Sequence, residues 1–219
     1  MIDDFSTEQL ANYKAYLELI EERMLNKYFE QQKPYIFCKA GCSHCCEKGQ
    51  YPVTKIELAY LLLGFSQLPD EHKFEIIEKI KNLKKEKLKY EENSKKEENN
   101  ASDEGFMYEC PFLKDNKCSV YEFRAVICRT HGLMFFVEDA KGNEPKNKIP
   151  FCVHLGLNYS NIYDEETKML SDEKMKALGI TQEPLAYNLS LKTLFNNEIT
   201  QNLDFEFGEV RAMLDWFPD

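Results

Sequence analysis

Four of the chain's eight cysteines fall within nine residues, in the run Cys38-Lys-Ala-Gly-Cys42-Ser-His-Cys45-Cys46. Even placement would put about a third of a cysteine in such a window, so the crowding needs a cause. Three more, Cys110, Cys118 and Cys128, bracket one short segment, and Cys152 follows Pro150-Phe151. A soft tetrahedral metal needs sulfurs ~2.3 Å away that converge on one point. Two or three residues between cysteines let a tight turn aim two thiolates inward, and Gly41 supplies backbone freedom there. Further ligands must come from elsewhere in the chain, with Cys118 and Cys128 on a short helix as the first candidates.

The candidate metal ligands are therefore Cys38, Cys42, Cys45, Cys46, Cys110, Cys118, Cys128 and Cys152. Zinc takes four ligands, and an iron–sulfur cluster commonly takes four thiolates, so the spacing does not distinguish the two. Eight thiols permit two mononuclear sites, one cluster with spare thiols, or a shared polynuclear site. Adjacent Cys45 and Cys46 are not expected to serve one mononuclear metal equally. One of them serves a second site or is a structural thiol. Taken singly, Cys110 and Cys152 are read equally well as buried small hydrophobes. His44, His131 and His154 stand near cysteines and are read as outer or exposed groups rather than ligands. His72, in a charged helix, is read as solvated.

Compartment and charge narrow the partners. No stretch approaches the roughly 18 apolar residues of a membrane span, and Met1-Ile2-Asp3-Asp4 is acidic where a secretory signal is basic. The expectation is a cytoplasmic protein, where thiols stay reduced. A net charge of −10 disfavours sequence-independent contact with nucleic acid or an anionic membrane. The lysines from Lys79 to Lys96 are interleaved with glutamates, as on a solvated helix face.

The periodicity reads as mostly α: a small single domain of short helices around a cysteine-ligated metal site, with a minor β-hairpin. Ser6 and Gln9 form a capping box before a helix from about Thr7 to Gln31. Its apolar stripe is Leu10, Tyr13, Leu17, Ile20, Met24 and Tyr28, and Pro34 ends it. That stripe packs into a core; a protein partner or a homodimer seam is the second reading. Thr54 and Glu57 cap another helix through Leu63, and a third runs from Pro69-Asp70 toward Leu88. Residues 91–104 read as a disordered loop. A turn is expected at Lys114-Asp115-Asn116-Lys117, and Ser119 with Glu122 as a third capping box opening a helix to Cys128. Leu133 to Val137, with Gly142-Asn143, suggests a hairpin. Helices are expected over Glu165 to Leu178, Leu185 to Phe195 and about Phe207 to Trp216. The organisation is an N-terminal amphipathic helix over 1–34, a cysteine-cluster metal-binding domain over 35–157 and a helical extension over 158–219.

The cysteine run, followed by Cys110-Pro111-Phe112-Leu113, Cys118-Ser119-Val120-Tyr121-Glu122, Arg124 and Cys128-Arg129, resembles the YkgJ-type cysteine-cluster family. Its signature is CxxCxxCC, and its domain is assigned zinc or iron chelation. The resemblance covers Cys38 to Leu157. Two departures stand out: three residues fill the first gap, and Ala125 stands where the family often has proline. Neither removes a thiol. Cys152 falls where a last family cysteine is expected. Flagellin lysine methylases carry a similar cysteine domain whose iron–sulfur cluster takes part in methyl transfer. The spacing Cys38-x3-Cys42-x2-Cys45 is also that of radical SAM enzymes, but the repeated strand–helix pattern of their barrel is missing here.

Two functions follow. In the first, a non-catalytic or accessory role, the metal holds the fold, is delivered onward or supports a partner, and protein ligands fill every coordination position. In the second, an iron–sulfur-dependent transferase keeps an open position, with Arg124, Arg129 and His131 binding an anionic ligand. The ordinary reading of Arg129 is a carboxylate pair, and of Arg124 a support for the neighbouring turn. No nucleophile–base pair or cofactor-binding loop is visible, which favours the accessory role.

Overall fold

In a computed structural model of the protein, residues 4–39, 41–96, 105–137 and 146–218 are described. About 53% of them are helical and the strands are few and short, so the mostly α expectation holds. No helix among the described residues is long and apolar enough to cross a membrane. Where sequence suggests a single domain, the chain forms two compact units, each discontinuous. One comprises Met1–Lys14, Gly41–Cys128 and Asp204–Asp219; the other comprises Ala15–Ala40 and Arg129–Leu203.

The N-terminal helical run extends from Thr7 to Gln32. Its capping box forms as expected, with Gln9 N–H donating to Ser6 Oγ (3.1 Å) and Ser6 N–H to Gln9 Oε1 (2.9 Å). Leu10, Tyr13, Leu17 and Ile20 are buried as the stripe requires. A π-helical turn at Glu21–Leu25 then adds a residue to the repeat. The phase moves, so Leu25 is buried while Met24 and Tyr28 are only partly covered.

In the first unit, the helix Lys55–Ser66 opens with the Thr54–Glu57 capping box and is buried almost all round. Beside it, the helix Asp70–Lys96 buries Ile76, Ile80 and Leu83. These side chains share a core with Tyr51, Val53, Leu58, Tyr108, Phe112, Met213 and Leu214. Pro52–Thr54 pairs antiparallel with Val210–Ala212, and Leu113–Lys114 pairs with Lys117–Cys118. Asp115 and Asn116 adopt φ of +49° and +58° in the turn between the latter strands, the left-handed pair a two-residue hairpin demands. The third helix continues to Lys96, beyond Leu88 and into the expected loop; residues 97–104 lie outside those described. The third capping box does not form. Instead a 3-10 turn at Tyr121–Phe123 precedes a separate helical turn at Val126–Thr130, whose first N–H is taken by Glu57. The expected helix over Phe207 to Trp216 is a strand followed by a 3-10 turn at Met213–Trp216.

In the second unit, Phe135–Val137 pairs antiparallel with Lys146–Lys148 and parallel with Tyr187–Asn188. The hairpin partner is therefore present, although Gly142 and Asn143 lie outside the described residues. Tyr35, Met134, Val153, Tyr159, Ile162, Tyr163 and Met175 form the core. The expected helix from Glu165 begins as a hairpin, Tyr163–Asp164 with Met169–Leu170. Asp164 Oδ1 accepts from Glu166 N, Thr167 N and Thr167 Oγ1, and this local turn competes with a helical start. Helix follows only at Asp172–Ala177, capped by Ser171. The segment Leu185 to Phe195 likewise holds the strand Tyr187–Asn188, then the helix Leu191–Phe195 capped by Ser190.

Candidate metal centre

All eight cysteines are thiols with no disulfide between them. Six lie in the first unit: Cys42, Cys45, Cys46, Cys110, Cys118 and Cys128. Cys38 and Cys152 lie in the second.

The run folds through a tight entry. Gly41 takes φ of +88°, and His44–Glu47 makes one helical turn that carries Cys45 and Cys46. Buried Ser43 steadies it, with Oγ 2.7 Å from Glu47 Oε1 and 3.2 Å from Asn116 Oδ1. Cys46 N–H donates to the Ser43 carbonyl (2.7 Å), and the Cys46 carbonyl accepts the N–H of Cys110 (2.8 Å). The early run and the later cysteines are thus joined through backbone.

Cys45 Sγ and Cys46 Sγ stand 3.9 Å apart. Two thiolates on one tetrahedral zinc at ~2.3 Å are ~3.8 Å apart, so the adjacent pair has the separation one ion requires. The helical turn places both sulfurs side by side.

The thiols also sense one another electrostatically. The Cys45 thiol is pushed well above the ordinary range, chiefly by its hydrogen bond to Cys46 and by burial. Burial raises Cys110, and the Cys128 and Cys118 thiols raise it further. Cys128 is pushed up to about 12 by burial, then by Cys118, Glu57 and Cys45. The hydroxyl of Tyr51 rises through burial and through Cys110, Cys46 and Cys45. Cys45, Cys46, Cys110, Cys118 and Cys128 therefore share one neighbourhood, around a hydrophobic core against which Cys46, Cys118 and Cys128 pack. Half-buried Cys42 precedes the turn. Among the described residues, no three His, Cys, Asp or Glu side chains stand in a ligating arrangement around one point.

The basic groups are engaged. The Arg124 guanidinium lies over the Tyr121 ring, 3.6 Å from its centroid, and its charge lowers the Cys45 and Cys128 thiols against the larger upward pushes. Arg129 pairs with Glu21 at 2.5 Å. His44 Nδ1 lies 3.0 Å from Glu47, and His154 Nδ1 lies 3.0 Å from Glu165. His131 is exposed, and His72 is partly covered.

In the second unit, exposed Cys38 receives a hydrogen bond from Asn158 Nδ2 (3.2 Å). Cys152 sits on the 3-10 turn Phe151–Leu155. Both thiols contribute to raising the Tyr159 hydroxyl, for which burial is the main cause. Sequence reasoning missed Asn158, Ser43 and Tyr51, and read Glu57 only as a cap. Nothing local marks Asn158, whose partners Gly132, Cys38 and Phe37 are 26, 120 and 121 residues away.

No protein-family model, curated protein or solved structure matches this chain.

Proposed function

We propose that this chain is a cytoplasmic metal-binding protein that holds zinc or an iron–sulfur cluster through its clustered cysteines, in an accessory or structural role. The observation that carries this reading is the backbone bond from Cys110 N–H to the Cys46 carbonyl, across more than sixty residues, with Cys46, Cys110, Cys118 and Cys128 on one hydrophobic core. The all-thiol donor set fits a soft ion or an iron–sulfur cluster. The separation of the Cys45 and Cys46 sulfurs supports the same reading. So does the resemblance of the run and of Cys110-Pro-Phe-Leu to YkgJ-type domains. Such a group would supply cross-linking of distant backbone and direct folding free energy. The protein's own part is to hold Cys45 and Cys46 on one helical turn and to tie that turn to Cys110 through backbone.

An iron–sulfur-dependent methyl-transfer enzyme is the second reading. It requires Arg124, Arg129 and His131 to receive an anionic ligand, yet the charge of Arg129 is already answered by Glu21. The accessory role is therefore preferred. Anaerobic purification followed by metal analysis and an absorption spectrum tests the proposal. Stoichiometric zinc in a colourless protein, or iron with inorganic sulfide and visible absorbance, supports it. A protein that retains neither, and takes up neither on reconstitution, overturns it.

A further inference from the structure

Neighbouring side chains on a helix do not face each other, and those on a strand point to opposite sides. Cys45 and Cys46 depart from this rule: on the helical turn His44–Glu47 their sulfurs come within 3.9 Å. The backbone beneath them is held on both sides. Cys46 N–H donates to the Ser43 carbonyl at 2.7 Å, and the Cys46 carbonyl accepts the Cys110 N–H at 2.8 Å. Ser43, which opens the turn, is buried, and its Oγ donates to Glu47 Oε1 at 2.7 Å. Side-chain torsions alone are left to set the sulfur separation. Cys45 is exposed and Cys46 half-buried, so a small molecule meets the pair from solvent.

The pair is poorly placed to close on itself. A disulfide spans Cα atoms roughly 4.4–6.8 Å apart. Consecutive Cα atoms across a trans peptide are only about 3.8 Å apart. Forming an S–S bond here would distort the turn and the two backbone bonds that hold Cys46. Among the described residues, no third His, Cys, Asp or Glu joins the two sulfurs around one point. An acceptor that takes two sulfurs and brings its third bond with it matches this arrangement.

We propose that Cys45 and Cys46 form a chelating site for monosubstituted trivalent arsenicals, R–As=O, in which R is bonded through carbon. The inference does not rest on the metal reading and applies to the metal-free chain. Two As–S bonds form, the As=O bond breaks, and the oxygen leaves as water with both thiol protons. Arsenic stays trivalent and neither sulfur is oxidised, so no oxidant or reductant takes part. Because the turn already sets the sulfurs side by side, the second As–S bond forms at little cost in ordering. Two-point attachment strengthens binding over a single thiol by about 10²–10⁴-fold.

The test uses the full-length, reduced chain after a chelator has removed bound metal, with phenylarsine oxide as the probe. One equivalent is added and the remaining thiols are blocked with N-ethylmaleimide. An excess of 2,3-dimercaptopropanol then strips the arsenic, and iodoacetamide labels the thiols it had held. Peptide mapping is expected to place both acetamide labels on Cys45 and Cys46. Labels on any other pair, or no adduct in the intact mass, overturn the inference and leave the metal reading standing. Titration of variants supplies a second measurement. Cys45→Ser and Cys46→Ser should each weaken binding by about 10²–10⁴-fold, whereas Cys38→Ser should leave it within about twofold. Wild-type affinity in Cys46→Ser also overturns the inference. The mapping needs no substitution, so it decides the matter even where circular dichroism shows a variant unfolded.

Discussion

The carboxylate of Glu57 accepts the backbone N–H of Val126 at 3.0 Å, two residues before Cys128. The same carboxylate receives Thr54 N–H (2.8 Å), Thr54 Oγ1 (2.9 Å) and the Tyr13 hydroxyl (3.3 Å), and Glu57 is 0% exposed. A residue that caps its own helix therefore also starts the turn that carries a candidate ligand. Glu57→Gln keeps the shape but brings an amide N–H₂ to a site that receives donors on both sides. It is expected to destabilise the metal-free protein by about 1–3 kcal/mol, the cost of leaving buried polar groups unsatisfied. Urea unfolding measures this; an unchanged midpoint would show that Glu57 does not organise the turn.

Burial holds the Glu57 carboxyl above the ordinary glutamate value of 4.5, against the pull of its hydrogen bonds. The folded state then binds its proton more tightly than the unfolded chain does. The stability this group contributes is complete below pH 4.5 and is lost as pH rises through the folded value. Asp4, Glu47, Glu75, Asp164, Glu165 and Glu209 are shifted downward and act with the opposite sign, losing their contribution as pH falls. Subtracting the stability–pH curve of Glu57→Gln from that of the wild type removes their shared contribution. The difference should decline with rising pH from about that value; a flat or rising difference contradicts the assignment.

Cys46 offers a clean separation of ligand from scaffold. Its carbonyl accepts the Cys110 N–H at 2.8 Å, and this bond does not involve the side chain. Cys46→Ser should therefore keep the backbone link while removing one sulfur of the 3.9 Å pair. The expected outcome is a large loss of bound metal, with the melting temperature of the metal-free protein within a few degrees of wild type. Cys42→Ser should likewise release metal and lower the thermal stability of the loaded protein. Metal analysis beside thermal melts of both forms reads this directly. Full metal retention in Cys46→Ser would remove Cys46 from the ligand set.

What was legible in the sequence is what acts over three or four residues. The Ser6–Gln9 and Thr54–Glu57 boxes form as their spacing implies, because each is closed by groups one helical turn apart. The cysteine run announces itself by density alone. Pairings such as Pro52–Thr54 with Val210–Ala212, or Tyr187–Asn188 beside Phe135, depend on partners far along the chain and leave no local trace. The π-turn after Ile20 shows the same limit within a helix, since one added residue moves Leu25 inward in place of Met24. The failed box at Ser119–Glu122 has a long-range cause as well. Glu57 supplies the acceptor at Val126, and the helix begins there instead.

Gly64 lies inside the helix Lys55–Ser66, where alanine is intrinsically better by about 1 kcal/mol. The geometry reverses that preference. A Cβ at Gly64 would stand 2.5 Å from the Phe123 ring atoms Cγ and Cδ2 and 2.8 Å from its Cβ, and Phe123 also packs against the Tyr60 ring at 5.1 Å between centroids. The methyl meets the root of the side chain rather than a flexible tip, so the 3-10 turn Tyr121–Phe123 must move as a whole. Overpacking of this kind costs about 1–3 kcal/mol, which exceeds the helix gain. Gly64→Ala is therefore expected to destabilise the metal-free protein, and Phe123→Ala in the same chain should recover part of the loss by opening the space. Equilibrium unfolding of the single and double variants checks both. Should Gly64→Ala instead stabilise the protein, helix propensity outweighs this contact and the close approach of Phe123 carries no strain.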